Sequence, residues 1–229
     1  MSKLTKDNFV TSLLGYQAYI LNKYKKSYFI KEFRKLQKPF FLTIKSRNKI
    51  SQEDQKKFKI NFCSKLIKFE KKYKSQQSSV YKCRSASNKD LAKIKKIALE
   101  NSSNSRFVKD NFFPKKFRKS FRYSWLNNFF KKKRGDYLIV CDYKKKILGF
   151  VLLLKKINSY QIDLIVVKKD KQSVGVGSSL INYINERFLR AGVKLVAGTQ
   201  SDNNKAIGFY KNNGFIRSKD TIYNYHIHS

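Results

Sequence analysis

The sequence predicts an α/β (α+β) fold in two parts: a small N-terminal α/β subdomain over residues 1–78 and a larger domain over 79–229. Three observations predict it. Apolar runs of period two alternate with runs of helical period along the chain. A polar stretch, Ser75-Gln76-Gln77-Ser78-Ser79, interrupts the pattern without periodicity of its own. The chain has 229 residues, 41% of them hydrophobic and 15% aromatic, which suits one full domain plus a small appendage and argues against disorder.

The N-terminal elements follow from short apolar runs. Tyr16 to Ile20 and Phe40 to Ile44 read as strands, and Asn61 to Glu70 carries a Phe62, Leu66 and Phe69 run. Ser51 opens a short helix as N-cap, with Asp54 near the N3 position. After the boundary, Val80 to Ser85 is a strand. Asn88 caps a helix whose Leu91, Ile94, Ile97 and Ala98 recur at helical spacing. Residues 105 to 114 read as a loop, and about 115 to 130 as a helix with Phe117, Phe121, Trp125 and Phe129 every four residues, a stripe read as core. Arg134-Gly135-Asp136 turns the chain into a hairpin of Tyr137 to Cys141 and Ile147 to Leu154. A third strand, 160 to 167, feeds a glycine turn. The following helix places Leu180, Ile181, Ile184 and Phe188 on one face and ends at Ala191-Gly192. Leu195 to Thr199 is a strand, and Asn203 to Asn213 a helix stopped by Gly214 in a left-handed cap. Phe215-Ile216 and Thr221 to Ile227 complete the sheet as two strands.

Composition narrows the partners only in part. The net charge is +37, with 52 Lys and Arg against 15 Asp and Glu. The lysines are spread throughout, and Lys, Asn, Ile, Phe and Tyr are abundant together, as an AT-rich coding sequence would write. The charge favours any anionic ligand without choosing one. Lys131-Lys132-Lys133-Arg134 reads as a solvated turn rather than a phosphate patch. Cys63, Cys83 and Cys141 are odd in number and far apart, so they read as buried reduced thiols, with no metal expected. His226 and His228 read as strand-end residues. No run of roughly 18 apolar residues occurs, and the first residues lack a charged-then-apolar leader. The expectation is a cytoplasmic chain with no membrane span.

The chemistry concentrates where Gln161 to Val167 breaks into a polar turn, Gln172-Ser173-Val174-Gly175-Val176-Gly177, and then a helix. A strand, a glycine turn and a helix in that order make an anion pocket, because the first helical N–H groups are unpaired and carry partial positive charge. Val167, Gln172, Gly175 and Gly177 resemble the acyl-CoA signature V-x-P-x-x-[QR]-x-x-G-x-[GA] of the GNAT superfamily of acetyl-CoA-dependent N-acetyltransferases. Lys169 stands where proline is common there and Ser173 where glycine is common. Asn203 to Phe215 resembles a second segment of that family, N-x-x-A-x-x-[FL]-Y-x-x-x-G-F. The resemblance covers roughly residues 79 to 229.

The resemblance implies a GNAT fold, a mixed and mostly antiparallel central sheet flanked by helices, with acetyl-CoA as co-substrate and no metal. It implies that Gln172, Ser173, Val174, Gly175, Val176, Gly177 and Ser178 cradle the pyrophosphate. Ile165, Val166 and Val167 would pair with the pantetheine arm and polarise the acetyl carbonyl. Asn203, Ala206, Phe209 and Tyr210 would complete the coenzyme site. Tyr210 occupies the general-acid position; a tyrosine at the edge of the core is its other reading, as a helix N-cap is for Asn203. Asp163 or a water relay deprotonates the amine.

A narrower resemblance, to dTDP-4-amino-sugar N-acetyltransferases of the dTDP-fucosamine type, rests on Ser105-Arg106-Phe107, Asn111-Phe112-Phe113-Pro114, Trp125 and the Ala197 to Gln200 strand. It implies a nucleotide-linked amino sugar of cell-surface polysaccharide biosynthesis as acceptor, with Arg106, Phe112 and Gln200 as substrate contacts and a homodimer as an open option. The alternatives are acetylation of a protein N-terminus, a lysine or a small amine, and a basic nucleic-acid-binding protein, which would leave the paired motifs unexplained.

Overall fold

Strand-period runs from both halves of the chain pair into one ten-stranded sheet in the computed structural model, which describes residues 3–74, 79–100, 105–131 and 134–229. The strands are β1 (Lys3–Lys6), β2 (Gln17–Asn22), β3 (Phe40–Ser46), β4 (Asn61–Lys72), β5 (Lys82–Ser85), β6 (Tyr137–Tyr143), β7 (Lys146–Lys156), β8 (Ser159–Val167), β9 (Lys194–Gln200) and β10 (Ile216–His228). Their order is β1-β2-β3-β10-β4-β9-β8-β7-β6-β5. Only β2 with β3 and β8 with β9 run parallel; the remaining pairs are antiparallel. The mixed, mostly antiparallel sheet flanked by helices is as expected. Residues 75–78 of the expected boundary and Lys132-Lys133 of the basic turn lie outside the described residues. Strands from either side of that boundary interleave, since β10 lies between β3 and β4.

The helices among the described residues are α1 (Asn8–Leu14), α2 (Lys26–Phe33), α3 (Gln52–Lys57), α4 (Leu91–Glu100), α5 (Arg106–Lys109), α6 (Lys115–Phe130), α7 (Val176–Phe188) and α8 (Asn204–Asn212). None is long and apolar enough to cross a membrane. Because strand side chains alternate between faces, β7 feeds two cores. Val151 and Leu153 join Leu180, Ile181 and Ile184 of α7, whereas Phe150 and Leu152 join Ile94, Ile97 and Leu126 of α4 and α6. In the N-terminal half, Phe40, Leu42 and Ile44 of β3 pack with Phe29, Tyr225 and Ile227. Phe41 faces the other way, onto Val10, Phe107, Phe113, Phe117 and Phe121.

Several expectations change in detail. The cap of the helix after β5 is Ser87, whose hydroxyl and backbone N–H both engage Asp90 at 3.0 and 2.7 Å, not Asn88. A capping box uses two reciprocal bonds where a lone Asn offers one. The loop at 105 to 114 contains α5. The two closing strands are one, β10, carried past an irregularity between Arg217 and Thr221. Cys83 and Cys141, remote in sequence, face each other across β5 and β6 as free thiols. His226 and His228 do lie on the last strand, but in a network, His226 buried and His228 half-buried. His226 Nδ1 is 2.6 Å and His228 Nε2 2.9 Å from the same Asp110 carboxylate oxygen. Cys63 adjoins them, with the donor atoms of Cys63, Asp110 and His226 within 4.8 Å of one another.

Candidate active site

The sheet opens where β8 and β9 part. They pair only from Ser159–Lys194 to Gln161–Val196. Beyond that, Ile162 to Val167 stay with β7 and Ala197 to Gln200 with β4, leaving a V-shaped gap. Lys168 donates to the Leu148 carbonyl of β7, so by alternation Ile165 and Val167 aim their amides into the gap. At its base, β8 carries a bulge: Leu164 and Ile162 oppose Leu152 and Leu153, and Asp163 is the extra residue between them. A cleft of about 1340 Å³ runs from this gap across the sheet.

At one end of the cleft the chain leaves β8 and turns through Ser173 (φ 62°) and Gly175 (φ 92°) into α7. Both are in the left-handed region, which glycine enters freely and serine at a cost of about 1 kcal/mol. Helix geometry leaves the Val176, Gly177 and Ser178 amides without intrahelical acceptors, and Gly175 supplies no side-chain cap. Ser179 fixes the turn: its hydroxyl donates to the Gly175 carbonyl at 3.0 Å and accepts from the Tyr81 amide at 3.1 Å. The Gln172 amide donates to the Val167 carbonyl at 3.3 Å, tying the turn to the strand. Gln172, Ser173, Gly175, Gly177 and Ser178 line the cleft; Val176 is buried in the core and Val174 is exposed, so these two offer backbone alone.

Opposite stands α8. Asn203 caps it by accepting from the Ala206 amide at 3.2 Å. Lys71 of β4 donates to the Asn213 carbonyl at its other end at 2.7 Å, where the helix dipole favours a cation. Asn203, Ala206, Phe209 and Tyr210 line the cleft, as do Ile165, Val166 and Val167. The Tyr210 ring is buried against Phe69 and Phe215. Its hydroxyl has no hydrogen-bond partner among the described residues, and burial pushes its pKa well above the usual value. It is a neutral phenol poised as a donor.

The other end of the cleft is built by residues from both halves of the chain. Arg106, Gln200 and Asp163 line it. Asp163 is held bidentately by Arg134 at 2.6 and 2.8 Å, and the Arg134 guanidinium lies over Trp125 at 5.5 Å. Trp125 thus leaves the helix stripe read as core to face the cleft, while Phe117, Phe121 and Phe129 are buried. Phe112 is a correction. It is 67% exposed, stacks on His228, and lines a separate hollow with Lys56, Lys59 and Asn61. Asp110 pulls this loop onto β10, which turns the aromatic away from the cleft. Asp7, Phe9, Ile20, Lys45, Ser64 and Asn224 also line this end. Sequence periodicity does not reveal them, because β3, β10 and β4 meet only through long-range pairing.

A family model of the Acetyltransferase (GNAT) family matches residues 101–215. No curated protein matches the sequence. Solved structures share its fold. A functionally unknown conserved protein from Staphylococcus epidermidis superposes with a TM-score of 0.69 at 12% identity, over 96% of this chain and 88% of that one. A GCN5-related N-acetyltransferase from Sphaerobacter thermophilus gives 0.56 at 11% identity, over 99% and 76%. An acetyltransferase of the GNAT family from Colwellia psychrerythraea gives 0.50 at 12% identity, over 83% and 65%.

Proposed function

The chain belongs to the GNAT family of acetyltransferases and is an acetyl-CoA-dependent N-acyltransferase; from that premise we propose that it acetylates the primary amine of a nucleotide-linked amino sugar, such as a dTDP sugar. The gap between β8 and β9, with the left-handed turn at one end of the cleft and Tyr210 in its wall, carries the acetyl-transfer part of this reading. Amides at the start of α7 suit a pyrophosphate, and strand-edge amides of Ile165 and Val167 suit the pantetheine arm and a developing oxyanion. The neutral amine nitrogen attacks the acetyl carbonyl carbon, a C–N bond forms, and the C–S bond breaks. The departing thiolate takes the Tyr210 proton, and the amine releases its own proton to water. Solvent is favoured over Asp163 for that last step because Arg134 occupies both oxygens of the carboxylate.

The acceptor part of the reading is supported by Arg106 and by Trp125, whose ring lines the cleft from which Phe112 is turned away. A lysine or a basic peptide is disfavoured, since the acceptor end already holds Lys45, Arg106 and Arg134. The test is coenzyme release with dTDP- and UDP-amino sugars, amino acids and basic peptides, alongside calorimetry with acetyl-CoA. Turnover confined to basic peptides would replace the amino-sugar reading. Absence of both coenzyme binding and turnover would remove the reading of the cleft.

A further inference from the structure

Three strands set side chains in a row on the floor of the cleft. Lys45 of β3 pairs in register with Asn224 of β10, and Asn224 pairs with Ser64 of β4. All three line the cleft. The Asn224 amide nitrogen lies 3.4 Å from the Ser64 hydroxyl, and its oxygen accepts from Arg106 Nη1 at 3.3 Å. Arg106 thus hangs over the middle of the row. Its Nε is buried and has no hydrogen-bond partner.

No carboxylate of the described residues lies within ion-pair distance of Lys45 or Arg106. Asp7, the carboxylate whose charge acts on both, spends its side chain capping α1 through the Val10 amide at 3.0 Å. Burial pushes the Arg106 pKa down to about 10. Burial, then the Arg106 charge, depresses Lys45 as well. Two like charges with a buried unmade hydrogen bond, held together in a cleft, are costly unless an anion joins them.

We infer that Lys45 and Arg106, steadied by Asn224, form a seat for an anionic group of the acceptor, a phosphate or a carboxylate. This rests on the acetyl-transfer reading of the same cleft. The seat also sets a distance. Arg106 hangs over β10, which lies two strand spacings, about 10 Å, from β9, so the anion sits on the order of 10 Å from the gap. An acceptor with its charge on the carbon that bears the amine, such as an α-amino acid, cannot reach both. A sugar whose phosphate lies across the ring or beyond can.

The seat can be read without turnover. Protein saturated with CoA, so that its pyrophosphate turn is filled, is titrated with inorganic phosphate and separately with acetate. The expected result is saturable binding, weakened about tenfold by Lys45→Gln or Arg106→Gln and unchanged by Lys115→Gln on the exposed start of α6. The tighter of the two anions identifies the acceptor chemistry. Each seat variant removes an uncompensated cation, so each should unfold no earlier than the parent. Anion binding that survives in the Lys45→Gln, Arg106→Gln double variant, or is absent in the parent, overturns the seat. Loss of CoA binding in the parent would instead strike the coenzyme reading, and the difference in phosphate binding between the free parent and the free double variant would still decide the seat.

Discussion

Gly177 and Phe209 meet so closely that a β-carbon on Gly177 would lie 2.6 Å from Cε2 of the ring. Hydrogen alone at this position lets α7 and α8 face each other across one end of the cleft. The second glycine of the turn is therefore a packing residue, whereas Gly175 is required for its left-handed backbone.

Gly177→Ala should push the Phe209 ring into the cleft. The expected effect is a loss of about 1–3 kcal/mol in stability and a roughly tenfold weaker hold on acetyl-CoA. Thermal unfolding and calorimetry measure the two separately. Unchanged coenzyme affinity would mean that Phe209 yields elsewhere and does not shape the site.

Tyr210→Phe removes the only donor on that ring and little volume. Turnover should fall by about 10²-fold while acetyl-CoA affinity holds within a factor of two. Because burial raises the phenol's pKa, the acid form persists below that raised value, so the parent should show no alkaline decline near pH 10 from this group. Turnover in the variant equal to the parent's would make Tyr210 a core tyrosine.

Asp163→Asn breaks the bidentate pair with Arg134. If water takes the amine proton, the acidic limb of the kcat/KM profile stays where it is, and the acceptor KM rises several-fold as Arg134 swings free. Disappearance of that limb together with a rate loss of 10²-fold or more would make Asp163 the base.

His226 is fully buried, and burial pushes its pKa down to about 4 despite Asp110. The unfolded chain binds that proton at about 6.5. Between those values the unfolded state holds more protons, so stability falls as pH drops from about 6.5 to 4, by up to roughly 3 kcal/mol. Asp110 behaves alike at lower pH: burial opposes its ionisation, but the bonds from His226 and His228 win and hold it below the usual range. Its contribution is present above the unfolded value near 3.9 and is lost below it. Urea midpoints at pH 7.5, 5.5 and 4.5 should show the slope, and His226→Gln should flatten it.

What could be read from the sequence was what short-range periodicity encodes. The hairpin of β6 and β7, the face of α7 and the Ser51 cap are all set within a few residues. So is the glycine turn into α7, because turn and helix follow β8 directly. The acceptor end was opaque. Arg106 stands out by its local resemblance, but Lys45, Ser64 and Asn224 become neighbours only through the long-range pairing of β3, β10 and β4, and just past β10 Ser229 bonds Phe40, 189 residues away. Phe112 failed for the same reason: Asp110 reaches His226 and His228 more than a hundred residues away and rotates the loop.

The place of β10 between β3 and β4 also dictates a timetable. During synthesis, the ribosome completes both flanking strands well over a hundred residues before the partner they share. Until β10 inserts, each presents an open edge, and such late, long-range closure is slow and exposes strands to other chains. The seat for the acceptor is thus the last part of the cleft to come into being, and no nascent chain lacking β10 can hold it.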